Sequence, residues 1–246
     1  TNENSGSAQY MLLLDEFYRS AVRLAGNPLL WLHFWVEKET DYESEVQKSV
    51  ENGEINPQDW VDFGGLGQFS ANEYFGASLW QLYKGIDSPY KSVLKILLLE
   101  AYSKEYPNTR LIARQFKEDL FAGNTTPSHH FDPYIAMLAK VTDYLTELAE
   151  FKRLDFVRCC FYVKATEDLA LCQIHNWRTN YLQILAQEWG WSDDTIRELN
   201  RRPFWKIKRV KESHENLVKF LMLSYHNLVN FARKHKIHSR VAPQDI

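Results

Sequence analysis

The sequence predicts an all-α fold, a multi-helix bundle within the 246 residues of the chain. Apolar residues recur at intervals of three and four along most of it, and this spacing gathers them on one face of a helix. Capping residues precede several of these segments and glycines follow them, as at helix ends. No segment carries a strong β-hairpin signal. We therefore expect a single helical domain, 1–246, with sub-regions 1–123 and 124–246.

Start and stop signals divide the first sub-region into helices. Ser70 and Glu73 form an S-x-x-E capping box, and Ser88 caps the following helix with Pro89 at its first position. Residues 28–36 are apolar and Trp-rich, which is typical of a short buried helix or strand. The predicted helices, in chain order, are 7–25 (ended by Gly26), 41–52 (stopped by Gly53), 70–84, 88–106 and 109–122 (closed by Gly123).

The second sub-region is predicted to hold helices at 132–149, 151–171, 177–189, 193–200 and 203–235. The last helix carries a coiled-coil-like seam in steps of three and four. Its members are Ile207, Val210, His214, Leu217, Leu221, Ser224, Leu228 and Phe231. Within this seam, His214 is expected to be a hydrogen-bonded core residue rather than a catalytic base.

Composition argues against disorder and against an integral membrane segment. Hydrophobic residues make up 45% and aromatic residues 14% of the chain, as in globular proteins. No uninterrupted apolar run approaches the roughly 20 residues that span a bilayer. The odd, clustered set of Cys159, Cys160 and Cys172 fits reduced thiols, so we expect a cytoplasmic protein. These cysteines lack the spacing of a zinc site, and no metal-binding residue is expected within the chain.

Three lysines surround the joint between the helices that begin at Ser70 and Ser88. Lys84 ends the first helix, and Lys91 and Lys95 lie one turn apart at the start of the second. Like charges at this spacing repel by roughly 0.2–0.5 kcal/mol, and a cation in the first turn opposes the helix dipole by about 0.3–1 kcal/mol. A bound polyanion would offset these costs, because helix N-termini and lysines both suit phosphate. The alternative is that the lysines are simply solvated.

Two features nearby also have a functional and a structural interpretation. The loop from Gly64 to Ser70 could cradle phosphate, although a plain tight turn is favoured. Asp62 could be a metal carboxylate, but no partner carboxylate accompanies it in the sequence. A structural role is therefore favoured for both.

Charge is distributed unevenly along the chain. Residues 201–246 contain 11 Lys and Arg against 3 Asp and Glu, whereas the remainder is acidic. A basic segment on an acidic body indicates an internal contact or an anionic partner. Its start, RRPFWKIKR at 201–209, mixes basic and aromatic residues in a way that can bind nucleic acid. The acidic body argues against nucleic acid, which we do not expect as a partner.

Several long and unusual strings run through the chain. The longest is EYFGASLWQLYKGIDSPYKSVLKILLLEAYSKEYP at 73–107. The others are LLLDEFYRSAVRLAG (12–26), a run from Pro57 through Trp60 to Leu66, LDFVRCCFYVK (154–164), EWGW (188–191), WKIKRV (205–210) and PQDI (243–246). Together these strings resemble class I adenylate cyclase, the enterobacterial type and its relatives, over essentially the whole chain.

The resemblance implies an enzyme that makes cyclic AMP and pyrophosphate from ATP. The catalytic half of that family is similar to polymerase-β-like nucleotidyltransferases, which hold magnesium with a G-S…D-x-D signature. Gly6-Ser7 is a G-S pair, but no D-x-D follows it in this chain. The resemblance therefore implies the helical part of the catalytic half, which would pack on a sheet domain absent from this chain. Magnesium would be bound by residues outside it, and the chain alone is expected to be inactive.

The resemblance also implies how this part would contact ATP. It would close over the nucleotide and neutralise the triphosphate with the three lysines, and a small-residue helix start would face the nucleotide as in related nucleotidyltransferases. The predicted nucleotide-binding residues, all in the first sub-region, are Gly76, Ser78, Lys84, Ser88, Lys91 and Lys95. Weaker candidates are Arg19, Arg23 and Lys206.

The alternative hypothesis is a non-catalytic regulatory or protein-interaction module that docks through its basic last helix. In the family, control by the sugar phosphotransferase system is associated with a C-terminal regulatory half, which is absent from this chain. Such a regulator is therefore expected to act through the absent half.

Overall fold

The structure, a computed structural model, describes residues 15, 17–18, 23–24, 26–35, 41–67, 69–124, 132–169 and 177–237. Within these ranges the fold is mainly helical, as predicted. Short 3-10 helices lie at Leu30–Leu32, Pro57–Asp59 and Arg202–Phe204. The α-helices are α1 (Tyr42–Glu51), α2 (Ala71–Lys84), α3 (Pro89–Glu105), α4 (Ile112–Phe121), α5 (Pro133–Glu147), α6 (Phe151–Leu169), α7 (Trp177–Glu188), α8 (Asp193–Asn200) and α9 (Ile207–Lys234).

The first predicted helix ends earlier than expected. Phe17 and Tyr18 are helical, but strand β1 (Arg23–Leu24) pairs antiparallel with strand β2 (Asn27–Pro28). Gly26 between the strands has a φ of 90°, a left-handed conformation that glycine adopts without steric cost. The chain therefore reverses here, and the prediction of helix up to this glycine was wrong. Residues 7–14 of that prediction lie outside the described part.

The later helix predictions are confirmed to within a few residues at each end. Ser70 begins α2 as expected, because its backbone N–H donates to Glu73 Oε1 at 3.2 Å. The apolar segment at 28–36 contains the 3-10 helix Leu30–Leu32 rather than an α-helix. It is tied to the loop before α2 by Leu30 N–H, which donates to the Val61 carbonyl at 2.9 Å.

The chain forms two compact units. The first draws on the described residues within 1–77, 102–136 and 229–246, and the second on those within 78–101 and 137–228. The predicted sub-regions 1–123 and 124–246 remain an expectation from the sequence. None of the helices in the described part combines the length and the hydropathy needed to cross a membrane.

The first unit is built around buried polar groups as well as apolar ones. Asp15, 3% exposed, accepts from Tyr102 Oη at 2.7 Å and from the Ala113 backbone N–H at 2.8 Å. The Tyr102 hydroxyl in turn accepts from Ile112 N–H at 3.0 Å. These bonds satisfy the first donors of α4, which otherwise have no partner within the helix. Asp15 therefore fixes the start of α4, across 98 residues of sequence.

A fully buried lysine lies in the same unit. Lys117 is 0% exposed, and its Nζ lies 4.3 Å from the ring centroid of Trp31. The Trp31 ring stacks on Tyr18, with centroids 4.6 Å apart and planes within 3°. The Tyr18 hydroxyl donates to the Gly64 carbonyl at 2.6 Å. The aromatic stack stabilises the buried cation, because an ammonium over an aromatic ring is attracted by its electron-rich face.

In the second unit, the start of α9 is less buried than the seam predicts. Leu217 is 8% exposed and Leu228 is 1% exposed, as expected for core positions. Ile207 and Val210, however, are 88% and 51% exposed, and His214 is also exposed. The seam is therefore largely buried only from Leu217 onward. The prediction of His214 as a core histidine was therefore wrong.

Candidate functional site

The joint between α2 and α3 brings Lys84 close to Ser88. The backbone N–H groups of Asp87 and Ser88 both donate to the Lys84 carbonyl, at 3.3 and 3.1 Å. Ser92 N–H donates to the Ser88 carbonyl at 3.1 Å, which begins the hydrogen-bond ladder of α3. Consecutive turns thus fold the chain back within four residues. The predicted residues at the joint, Lys84 and Ser88, are brought together.

Burial along α3 distinguishes its half-buried first turn and Lys95 from the buried residues that follow. All residues from Ser92 to Ser103 are buried except Lys95, which is half-buried. Lys91, one turn earlier, is half-buried as well. Lys95 therefore interrupts the buried run, whereas Lys91 belongs to the half-buried start of the helix together with Pro89 and Tyr90. The sequence predicted a buried stripe on α3, but every residue from Ser92 to Ser103 other than Lys95 is buried.

Ser88, Lys91 and Lys95 share one side of α3, because residues three, four and seven apart lie above one another on a helix. At a rise of 1.5 Å per residue, Ser88 and Lys95 are about 10 Å apart along the axis. The first turn of α3 contains no acidic residue, so the positive end of the helix dipole adds to the lysine charges. Lys84, at the end of α2, is exposed, and its Nζ lies 5.0 Å from the Trp80 ring centroid. The joint from residue 84 to residue 95 therefore holds three lysines against one acidic residue, Asp87.

Gly76 and Ser78 lie elsewhere on α2. Counting the same helical rise, they precede Lys84 by about 12 and 9 Å along the axis. Gly76 is half-buried and belongs to the first unit, whereas the other predicted site residues belong to the second. Ser78 is 1% exposed.

The described residues offer no evident metal site. No group of three or more His, Cys, Asp or Glu side chains in them is arranged to hold a metal ion. Asp62 instead accepts from Tyr42 Oη at 2.8 Å and from Gly64 N–H at 2.9 Å. Its structural interpretation is thereby supported, since it closes the turn in front of the Gly64–Ser70 loop. Burial raises the pKa of the Cys159 thiol to about 11, with Asp155 adding to the effect, so this thiol is protonated at neutral pH.

The weaker candidates are only partly described. Lys206 is exposed just before α9, in a surface with Phe204 and Trp205. The basic side chains of that surface are largely paired within it: Arg209 Nε lies 2.9 Å from Glu198 Oε1, and its guanidinium lies 5.2 Å from the Trp205 ring centroid. Arg19 and the side chain of Arg23 lie outside the described part.

The sequence reasoning missed a buried ionic network in the second unit. Glu100 accepts from Arg153 Nη2 at 2.6 Å and Nη1 at 3.1 Å, from Asn227 Nδ2 at 2.7 Å and from Tyr144 Oη at 2.8 Å. Arg153 also donates to Ser224 Oγ at 2.8 Å and forms an ion pair with Glu150. The network joins α3, α5, α6 and α9. The sequence did contain a signal for this network. Glu100 lies three residues after Leu97 and seven after Val93, which places a charged residue on a buried face of the helix.

Electrostatics keep this buried carboxylate ionised. Burial alone would raise the pKa of Glu100, but the hydrogen bonds and charge of Arg153, with the bonds from Asn227 and Tyr144, lower it below its ordinary value. Burial and the adjacent Glu100 charge raise the pKa of the Tyr144 hydroxyl. Both groups are therefore locked in one protonation state at neutral pH, which suits a structural role.

Family comparison agrees with the long strings in the sequence. Residues 69–246 match the model described as "Adenylate cyclase, class-I, second domain", and residues 1–32 match "Adenylate cyclase NT domain". The first match begins just before α2 and covers the lysine-rich joint together with all later helices.

Named relatives are adenylate cyclases of several bacteria. The chain is 79% identical over its full length to the enzyme of Haemophilus influenzae, covering 29% of that protein. It is 67% identical to that of Pasteurella multocida, covering 30%, and 50% identical over 99% of its length to that of Escherichia coli K12, covering 29%. The chain thus spans about three-tenths of the length of these relatives. No solved structure matches it. The extent of the second-domain match shows that the chain belongs to the class I adenylate cyclase family.

Proposed function

We propose that this chain is the helical part of an enzyme that converts ATP to 3′,5′-cyclic AMP and pyrophosphate, and that it closes over the nucleotide and contacts the triphosphate. The observation that supports this proposal is the grouping of Lys84, Lys91 and Lys95 at the joint, where Lys84 is exposed and the other two lysines are half-buried. This positive surface lies within the region that matches the second domain of class I adenylate cyclases.

The chemistry of a triphosphate fits this surface. Lysines bind phosphate as point charges, and the free N–H groups of a helix N-terminus point at an anion. Ser88, at the start of α3, adds a hydroxyl that can donate to a phosphate oxygen. Gly76 and Ser78 stay predictions from the sequence and are not part of the surface proposed here. The role of the three lysines is to neutralise charge and to orient the triphosphate.

Magnesium and the catalytic carboxylates are proposed to belong to other parts of the cyclase. The described residues do not fit a magnesium site, since they offer no cluster of carboxylates. Consequently this chain alone is proposed to be inactive, and it would need a nucleotidyltransferase sheet domain to complete the site. Regulation through the phosphotransferase system, if present, would act through a further part of the longer protein.

The test is steady-state kinetics of the intact cyclase that contains this chain. Replacing Lys91 and Lys95 by alanine should raise the KM for ATP and lower kcat/KM at least tenfold, because a hydrogen bond to a charged group contributes about 1.5–3 kcal/mol. The matched control is Lys104→Ala, an exposed lysine in the last turn of the same helix. Equal kinetics for the control and the double variant would remove the lysines from the site.

A second candidate function is a docking surface at the start of α9, which exposed apolar side chains support. Phe204 and Ile207 are 85% and 88% exposed beside the basic residues that begin α9. Large apolar side chains grouped at a surface commonly mark a contact with another protein segment. We propose as occupant a further part of the longer cyclase chain, which would make this face a regulatory or domain contact.

Hydrogen exchange tests whether the start of α9 is a docking surface. In the intact cyclase, backbone amides of the first turns of α9 should exchange more slowly than in the 246-residue chain alone. Phe204→Ser with Ile207→Ser should abolish that difference, whereas Lys219→Ser, on the exposed middle of α9, should preserve it. Identical exchange in both chain lengths would contradict a contact at this face.

A further inference from the structure

The 3-10 helix Arg202–Phe204 contacts the start of α3 through the side chain of Arg202. Its guanidinium lies 5.2 Å from the ring centroid of Tyr90. A cation within about 6 Å of an aromatic ring centroid is attracted by the electron-rich face of the ring. Tyr90 is the second residue of α3 and directly precedes Lys91. Both partners belong to the second unit, so the contact ties the lysine-rich joint to a distant segment of the same unit.

Arg202 is also anchored to α6. Its Nη2 donates to Glu167 Oε1 at 2.8 Å, and Lys164 Nζ donates to Glu167 Oε2 at 3.0 Å. Burial would raise the pKa of Glu167, but the hydrogen bonds and charges of Arg202 and Lys164 lower it, so the carboxylate is ionised at neutral pH. The same helix is packed into the core, since Tyr162 and Val163 are 7% and 5% exposed. Arg202 therefore connects a buried helix to the first turn of α3.

The first turn of α3 is the part of that helix on which an external contact acts most. Residues 88–91 are half-buried, whereas Ser92 and the two residues after it are buried. The first N–H groups of a helix have no acceptor within it, and helix ends open more readily than helix centres. Because Tyr90 and Lys91 are consecutive, a contact that holds the Tyr90 ring also restricts the backbone that carries the Lys91 ammonium.

The charge of Arg202 is not what the joint gains from it. Arg202 and Glu167 form an ion pair without net charge, which adds little to the attraction of an anion. The Nη1 atom of Arg202 is buried, and it has no hydrogen-bond partner among the described residues. A buried cationic donor without an acceptor is costly, and the face of the Tyr90 ring lessens this cost. The geometry therefore favours the contact with Tyr90 as the role of this guanidinium.

We propose that Arg202 is a positioning residue for the triphosphate contact. By holding the ring of Tyr90 against the 3-10 helix, it fixes the first turn of α3 and places the Lys91 ammonium where a phosphate oxygen meets it. This inference rests on the proposed function of the joint and extends it to a residue that does not itself touch ATP.

Steady-state kinetics of the intact cyclase tests the positioning role. Arg202→Gln should raise the KM for ATP about two- to fivefold, the range of a cation–π contact at a partly exposed site, with little change in kcat. Tyr90→Leu should have the same effect, whereas Tyr90→Phe keeps the ring and should retain the original KM. The control is Arg197→Gln, at an exposed arginine whose Nη2 lies 3.0 Å from Asp194 Oδ1, and it should not change the KM. A raised KM for Tyr90→Phe equal to that of Tyr90→Leu would overturn the proposal.

Glu167→Gln separates positioning from attraction by charge. This variant weakens the anchor of Arg202 on α6, so the KM for ATP should rise as it does for Arg202→Gln. If Arg202 instead attracted ATP through its charge, removing the negative charge beside it would lower the KM. A lowered or unchanged KM for Glu167→Gln would overturn the positioning role.

Combination with Lys91→Ala shows whether Arg202 acts through this lysine. The double variant of Arg202→Gln and Lys91→Ala should have the KM of Lys91→Ala alone, because two residues that act through one contact are not additive. Fully additive effects would show that Arg202 has only a general structural role. An unchanged KM for Lys91→Ala would overturn the proposed triphosphate contact itself, whereas a raised KM for Lys91→Ala with an unchanged KM for Arg202→Gln would overturn this inference alone.

Discussion

The two halves of α3 carry charge in opposite ways. In the second half, Glu100 is 3% exposed and bound by four side-chain hydrogen bonds, two of them from Arg153. In the first half, Lys91 and Lys95 are half-buried at the positive end of the helix dipole, one turn from each other. Hydrogen bonds from other helices compensate the buried charge of Glu100, whereas the dipole of α3 opposes the charges of Lys91 and Lys95.

This difference predicts that changes at Glu100 and at the two lysines have different consequences. A buried charge is tolerated only when partners compensate its lost hydration, so removing a partner of Glu100 should destabilise the protein. Lysines that repel each other and oppose a dipole contribute little to stability. Their loss should instead appear in the handling of an anion. Variants in the second half of α3 should therefore lower the free energy of unfolding, whereas variants of the lysines in the first half should lower activity.

The largest effect is expected from Arg153→Met. It leaves Glu100 buried without a cationic partner, and such a change costs about 3–5 kcal/mol of the free energy of unfolding. Urea unfolding followed by circular dichroism measures it. The control, Lys152→Met, changes the exposed neighbour in α6 and should cost less than about 0.5 kcal/mol.

A double variant sharpens this result. Glu100→Leu combined with Arg153→Met removes both charges, and it should recover much of the stability lost in the single variant. Equal losses for Arg153→Met and Lys152→Met would show that the network does not stabilise the fold.

Acid should weaken the same network. Because the pKa of Glu100 in the folded protein lies below its ordinary value, its contribution is complete above that ordinary value and is lost as pH falls through the folded pKa. At neutral pH, Glu100→Gln should lower the free energy of unfolding by about 1–3 kcal/mol. Urea titrations at several pH values should show this gap closing on acidification. A gap that widened in acid would contradict the assigned charge state.

A comparable loss is expected in the first unit from Asp15→Ala. The change removes the acceptor for the Tyr102 hydroxyl and for the Ala113 N–H at the start of α4, and should cost about 1–3 kcal/mol. Urea unfolding again measures it, with the exposed Asp143→Ala as control. A variant as stable as the control would exclude Asp15 as the cap of α4.

Local sequence signals predicted the helices well because caps, glycines and apolar spacing act within a few residues. The start at Ser70 is an example, because its backbone N–H donates to the Glu73 side chain three positions later. The seam of α9 failed at Ile207 and His214, because periodicity predicts an apolar face but not the element that covers it. Helix periodicity also missed the reversal at Gly26, which depends on pairing with a neighbouring strand.

Hydrogen bonds between residues far apart in the sequence could not be predicted from local patterns. Arg153 lies 53 residues from Glu100, and Asp15 lies 87 residues from Tyr102, so no local spacing connects them. Of the candidate site, the sequence predicted the lysine-rich joint, because Lys84, Ser88, Lys91 and Lys95 are neighbours in the chain. A cavity lined by α6, α7, α8 and the 3-10 helix Arg202–Phe204 was missed, since its wall is assembled from four separate segments.

The smallest stability change is expected from Lys91→Ala combined with Lys95→Ala, and this variant tests the central claim most directly. In the intact cyclase, kcat/KM for ATP and the free energy of unfolding should be measured on the same preparation. We predict a loss of at least tenfold in kcat/KM with a change in unfolding free energy below about 0.5 kcal/mol, since the replaced charges are not part of the core. Unchanged kinetics, or a loss of activity matched by a loss of several kcal/mol in stability, would contradict the assignment of these lysines to the triphosphate.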